Sequence, residues 1–108
     1  MKLEIIGYKK YKLLEDIKYG TITVPSGFEF DVTVPKVIWF VVGGLMFSKV
    51  VRAVATHDYN YTNKQVDRSV ADAYLRDMLL EDGTNIVSAW IAFLGARAIG
   101  WYFWNKAS

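Results

Sequence analysis

The stretch "DRSVADAYLRDMLLEDG", residues Asp67 to Gly83, decides how the fold is read. Ala71, Tyr74, Leu75, Met78 and Leu79 recur at helical spacing and make one apolar stripe. Ser69 stands where a side chain caps a helix start, and Gly83 offers the left-handed residue that ends one. The pattern predicts an amphipathic helix whose apolar side must be covered by other elements. The flanking segments are the candidates.

Just upstream, "RAVATHDYNYTNK" (Arg52 to Lys64) reads as a second helix, with Ser48 as its cap. Val50, Val54, His57 and Tyr61 fall at i, i+4, i+7 and i+11 on one face, with Lys49, Arg52, Thr56, Asn60 and Asn63 opposite. His57, the only histidine of the chain, therefore points inward. Asp58 stands on the edge shared with Val51 and Val54. A short polar connection joins the two helices, so they are expected to pack antiparallel.

Toward the N-terminus the period changes from helical to alternating. Ile22 and Val24, then Phe28, Phe30 and Val32, recur at every second position, with "VPSG" between them as turn chemistry. This predicts two short antiparallel strands. Leu3, Ile5, Tyr11 and Leu13 suggest one or two more, with Gly7 and Gly20 as breaks. After Pro35, "KVIWFVVGGLMF" is a continuous apolar run, too short for a bilayer span, which needs about 20 residues. It reads as a short buried helix or turn followed by the Gly43-Gly44 loop.

The final segment, "NIVSAWIAFLGARAIGWYFWNKAS", starts a third helix near Thr84 or Asn85 and is apolar nearly all round. Arg97 is its only charge before Lys106, and Ala92, Ala96 and Gly100 make a small-residue ridge. The expectation is a central helix wrapped by the sheet and the other helices; membrane contact is the competing reading. The cluster Trp101, Tyr102, Phe103 and Trp104 then serves packing, or else a membrane-facing rim or interface.

The 108 residues fit one domain, 1–108, with a β-rich part over 1–36 and a helical part over 37–108. The class is α+β: a small N-terminal antiparallel sheet or hairpins, then about three helices, the last strongly apolar. A formal charge of +2 gives no nucleic-acid footprint. Lys9, Lys10 and Lys12 read as a solvated strand face. With no cysteine, disulfides, thiolate nucleophiles and cysteine zinc sites are excluded. The opening residues lack a signal-peptide core, and the absence of cysteine suits a reducing cytoplasm, with a virion serving equally well.

Chemistry converges on the two central helices. A histidine base needs a partner that fixes its tautomer and stabilises the protonated ring. Asp72, near the start of its helix and bordering the apolar stripe, is within reach of His57 if the helices pack together. Asp58 then remains for a hard divalent cation, shared with backbone carbonyls of a glycine loop. The bland alternatives stay open. A lone histidine on an apolar face is usually core, and Ser69-x-x-Asp72 also fits a capping box. Tyr61 and Tyr74 can simply close the core margin. Asp31 suits a turn cap, and Asp77, Glu81 and Asp82 suit a solvated helix end.

The pattern His57-Asp58-x-x-Tyr61 followed by Ala71-Asp72 resembles the active-site helix pair of secreted phospholipase A(2), especially the cysteine-free versions in parvoviral capsid proteins. The resemblance covers Val50 to about Leu79. It implies His57 as base, Asp58 as calcium ligand, Tyr61 as supporting hydroxyl and Asp72 as the residue that orients the histidine. That family's calcium loop has no clear copy here, although Gly43-Gly44 lies at roughly the right place.

A second resemblance runs from about Gly20 to Trp104. "PSGFEFDVTVPK", an aromatic run, "ATHDYNY", "DRSVADAYLRDML" and a small-residue helix ending in tryptophan are together similar to a family of small uncharacterised phage and prophage proteins. Asp31, Thr33, Pro35 and Lys36 match that family's first motif, with threonine for serine and lysine for arginine. Two functions follow as expectations. One is a calcium-assisted lipid or ester hydrolase that meets a phospholipid membrane. The other is a non-catalytic virion, tail or host-interaction protein, partnered by other phage proteins, in which the His-Asp-Tyr cluster is structural.

Overall fold

The computed structural model describes residues 3–7, 10–31 and 50–106. Strands β1 (Leu3–Gly7), β2 (Lys10–Leu13) and β5 (Glu29–Asp31) form an antiparallel sheet with β2 in the middle. Strands β3 (Ile17–Tyr19) and β4 (Ile22–Val24) form a separate hairpin, with Ile17 opposite Val24 and Tyr19 opposite Ile22. Its turn uses Gly20 at φ +58°, the left-handed conformation that a tight hairpin requires. A Cβ on Gly20 would also lie 2.6 Å from the Tyr74 hydroxyl, so conformation and close packing both demand glycine there.

The expected pairing across "VPSG" does not form. Leu13 N donates to Phe28 O (2.9 Å), and Gly27 N, at φ +93°, donates to Leu13 O (2.8 Å). Ser26 N is held by Asp16 Oδ1 at 2.7 Å. These bonds carry the chain out of the hairpin and onto β2, so β4 and β5 belong to different sheets. Alternation located both strands, but it carries no information about which partner each would find.

Among the described residues three helices follow: α1 (Val51–Asn63), α2 (Arg68–Glu81) and α3 (Ile86–Lys106). The core draws on both halves of the chain: Leu13, Ile17, Ile22, Val24 and Phe30 from the strands meet Val50, Ala53, Ala55, Met78 and Leu79. Burying each large aliphatic side chain contributes about 1.5–3 kcal/mol. The first two helices run antiparallel, as expected, because Arg52 forms a two-point pair with Asp82 (3.0 Å) while His57 meets Asp72. Arg76 over the Trp90 ring (4.7 Å) and Arg97 beside Asp72 show α3 antiparallel to α2.

Helix ends and faces depart from expectation in three places. Helix α2 begins at Arg68 with Asp67 in the cap position, and Ser69 lies exposed inside the first turn. Its end is as read, with Gly83 at φ +99° and Thr84 N bonded to Leu79 O (2.9 Å). On α1, Thr56 and Asn60 are buried instead of facing water. Thr56 tolerates this because its hydroxyl donates to Arg52 O at 2.9 Å. Asn60 is fully buried, and its side-chain amide has no partner among the described residues.

The third departure concerns α3, which is not wrapped. Ser88, Ala89, Ala92 and Gly100 are buried, but Val87, Trp90, Leu94 and Trp101 are exposed. Asn85 caps its start, accepting from Ser88 N at 2.8 Å. The small residues Ser88, Ala89, Ala92 and Gly100 allow close approach on the buried side. Ser48, Lys49, Gly43-Gly44, Val32 and the apolar run after Pro35 lie outside the described residues.

Candidate functional site: the His57, Tyr61 and Asp72 cluster

The site begins with two helical turns that face each other. His57 and Tyr61 stand one turn apart on α1, with ring centroids 4.3 Å apart. Asp72 faces them from the second turn of α2. Its carboxylate is 0% exposed, which is costly for a charge unless donors surround it.

The donors are present. His57 Nε2 lies 2.7 Å from Asp72 Oδ1, and the Tyr61 hydroxyl donates to the same oxygen at 2.6 Å. Arg97 Nη1, from α3, donates to Oδ2 at 3.0 Å, with Arg68 Nη1 at 3.7 Å. Burial by itself would raise the Asp72 pKa, but the bonds from His57 and Tyr61, the charge of His57 and the bond from Arg97 outweigh it. The carboxyl is held below its ordinary value. Asp72 is thus an anion at neutral pH. Tyr61 is pushed the other way, well above the usual phenol range, first by burial and then by its bond to the Asp72 anion; its hydroxyl keeps its proton.

This arrangement answers the capping question. Asp72 spends both carboxylate oxygens on tertiary partners, and the helix start has no side-chain cap bond. An ionised carboxylate can only accept, so it selects the His57 tautomer protonated on Nε2. In that tautomer of the neutral ring Nδ1 carries the lone pair, on a side chain that is 20% exposed. A base poised at a partly open face is the chemical capability of the cluster.

Asp58 is placed apart from these three. It lines an open cleft of about 220 Å³ with Ile6, Lys10, Glu29 and Phe30, between α1 and the three-stranded sheet. Its two carboxylates, Asp58 and Glu29, share the cleft with the Lys10 side chain and supply only part of the six to eight oxygens that calcium takes. Among the described residues no group of three His, Asp or Glu forms a metal cluster. The structure therefore joins three of the four expected residues and assigns the fourth to a neighbouring cleft.

Residues 8–96 match the family described as "Protein of unknown function (DUF1353)". The chain belongs to the DUF1353 family. No curated protein and no solved structure matches it. In this DUF1353 chain His57, Asp58, Tyr61 and Asp72 all lie within the matched segment, while Arg97 and Gly100 follow just after it.

Those later residues are what sequence reasoning missed. Arg97 was visible as the one charge in an apolar helix, and a lone charge in such a helix needs a buried partner. Gly100 was visible only as part of a packing ridge. A Cβ there would sit on the Tyr61 hydroxyl, well inside van der Waals contact, and 3.2 Å from Arg68 Nη1. Trp104, one turn further, meets the Tyr61 ring edge-on at 5.1 Å.

Proposed function

We propose that this chain is a phage or prophage protein with a phospholipase A(2)-like His/Asp site, and that it hydrolyses carboxylic esters of lipids. The observation that carries the reading is the 2.7 Å contact between His57 Nε2 and a fully buried Asp72 carboxylate that also takes the Tyr61 hydroxyl. A buried anion behind the ring is what a histidine base requires.

The residues divide the work as follows. Asp72 and Tyr61 fix the ring so that Nδ1 accepts. A water bonded there gives its proton to Nδ1 as its oxygen attacks the ester carbonyl. Asp72 stabilises the imidazolium that results. The same proton then passes to the departing alkoxide as the ester C–O bond breaks, giving a fatty acid and an alcohol. In this reading Asp58 would contribute to holding calcium, which would supply Lewis-acid stabilisation of an oxyanion. The exposed apolar side of α3 suits contact with a phospholipid surface, with Trp101, Tyr102 and Phe103 near Lys106 at one end. Host cytoplasm and virion are the proposed locations.

A second reading, a non-catalytic virion or host-interaction protein, is favoured by one feature. Asp72 takes contacts from four side chains on three helices, more than orienting a base demands. Fatty-acid release from phospholipid mixed micelles, with added calcium or with chelator, separates the two. Hydrolysis predicts release by wild type, its loss in a folded His57→Gln variant, and weakened calcium response in Asp58→Asn. Wild type that neither binds calcium nor releases fatty acid would leave the structural reading.

A further inference from the structure

The hydrolase reading draws its chemistry from α1 and α2 only, yet a third helix enters the site. Asp72 Oδ1 is filled by His57 and Tyr61. A carboxylate held through one oxygen alone can still twist about its Cβ–Cγ bond and carry Oδ1 out of line with the ring N–H. What stops this turn must act on Oδ2.

Two guanidiniums are near Oδ2, and they are not equivalent. Arg68 is 3.7 Å away, beyond hydrogen-bond reach, and its Nη1 already donates to Ala96 O at 3.1 Å. Arg97 Nη1 is at 3.0 Å and makes the bond. Its side chain is 36% exposed, so the cation remains partly hydrated while one donor reaches the buried anion. Gly100, three residues later on the same side of the helix, leaves the space in which the Tyr61 hydroxyl reaches Oδ1.

We propose that Arg97 is a positioning residue for the His57 base: it locks the second carboxylate oxygen of Asp72, and Gly100 gives α3 the clearance to do so without displacing Tyr61. The dyad is then a three-helix device, complete only when α3 is seated. For turnover this rests on the hydrolase reading; for ring geometry it does not.

Among the described residues, the charged and titratable groups that meet the ring or its carboxylate partner are Tyr61 on its own helix, Asp72 and Arg68 on α2, and Arg97 on α3. His57 is the sole histidine, so ¹H–¹⁵N spectra of the imidazole report one ring without overlap. Wild type is expected to give a single tautomer with a slowly exchanging Nε2–H. Arg97→Gln, folded by far-UV circular dichroism, is expected to lose that slow exchange and gain the Nδ1–H tautomer. Arg97→Lys, which restores a cationic donor, is expected to recover the tautomer with a shifted resonance. Gly100→Ala is expected to shift the ring signals as Tyr61 is pushed aside.

In the mixed-micelle assay Arg97→Gln is expected to lower kcat on the order of 10²-fold with KM little changed, the mark of misplaced machinery. Ring spectra of Arg97→Gln superimposable on wild type overturn the proposal. If the glutamine variant does not fold, Arg97→Lys decides, since an unshifted Nε2–H resonance in it would also overturn the proposal. Wild type without turnover but with the expected ring spectra defeats the hydrolase reading alone.

Discussion

Asp72 concentrates the chemistry of the molecule, and its ionisation makes a pH prediction. Its pKa is lowered on folding from an ordinary value of 3.8, so the folded state favours the anion. The stability that it contributes is fully present above about pH 4 and is lost as the pH falls through the depressed folded value. Urea unfolding between pH 2 and 6 should therefore show a steep acid limb in wild type. Asp72→Asn should flatten that limb and cost about 3 kcal/mol at neutral pH, because it leaves the cations around it unbalanced. Asn60 points the opposite way. Two buried amide atoms without a partner among the described residues cost about 1–3 kcal/mol, and Asn60→Leu should raise the melting temperature of the protein.

At the scale of elements, much of the fold was legible and the reasons for the misses are specific. The stripe Ala71, Leu75, Met78 and Leu79 fixed α2, because a helical period cannot be satisfied by a strand. The phase of His57 and Tyr61 against Asp72 followed from the same geometry plus a short connection. Strand pairing was not legible, because Phe28 and Phe30 alternate identically whether they bond to β4 or to β2. The polar face read for α1 failed at Thr56, whose hydroxyl bonds back to its own helix and so hides its polarity. Arg97 escaped because its partner is 25 residues away in sequence, where no local pattern reaches. The helix contact it serves can be tested through Gly100. Gly100→Ala should destabilise the fold by about 1–3 kcal/mol through overpacking, measured by chemical denaturation. The paired variant Gly100→Ala with Tyr61→Phe, which removes the obstructed hydroxyl, should recover part of that loss.

For the whole molecule, α3 has two sides with different tasks. Its inner side reaches the buried carboxylate through Arg97, while Val87, Trp90, Leu94 and Trp101 face outward. It is long and apolar enough to cross a membrane, with a mean hydropathy of 1.4 over its most apolar window. The bond from Arg97 to Asp72 ties it instead to the helical layer. The proposed function accordingly has α3 lying on a phospholipid surface. Tryptophan emission should shift to the blue on mixing with phospholipid vesicles, and Leu94→Asp combined with Trp101→Asp, both at exposed positions, should abolish the shift without unfolding the protein. The same double variant should lower turnover on vesicles more than on a soluble short-chain ester, because only the former needs the surface.

The account turns on water being activated at His57. The most direct measurement is hydrolysis of mixed-micelle phospholipid in ¹⁸O-labelled water by wild type and by folded His57→Gln, with the products weighed by mass spectrometry. The account predicts one ¹⁸O in the released fatty acid and none in the alcohol product from wild type, and no fatty acid from the variant. Absence of fatty acid with the wild-type protein, or equal release by the variant, would contradict it.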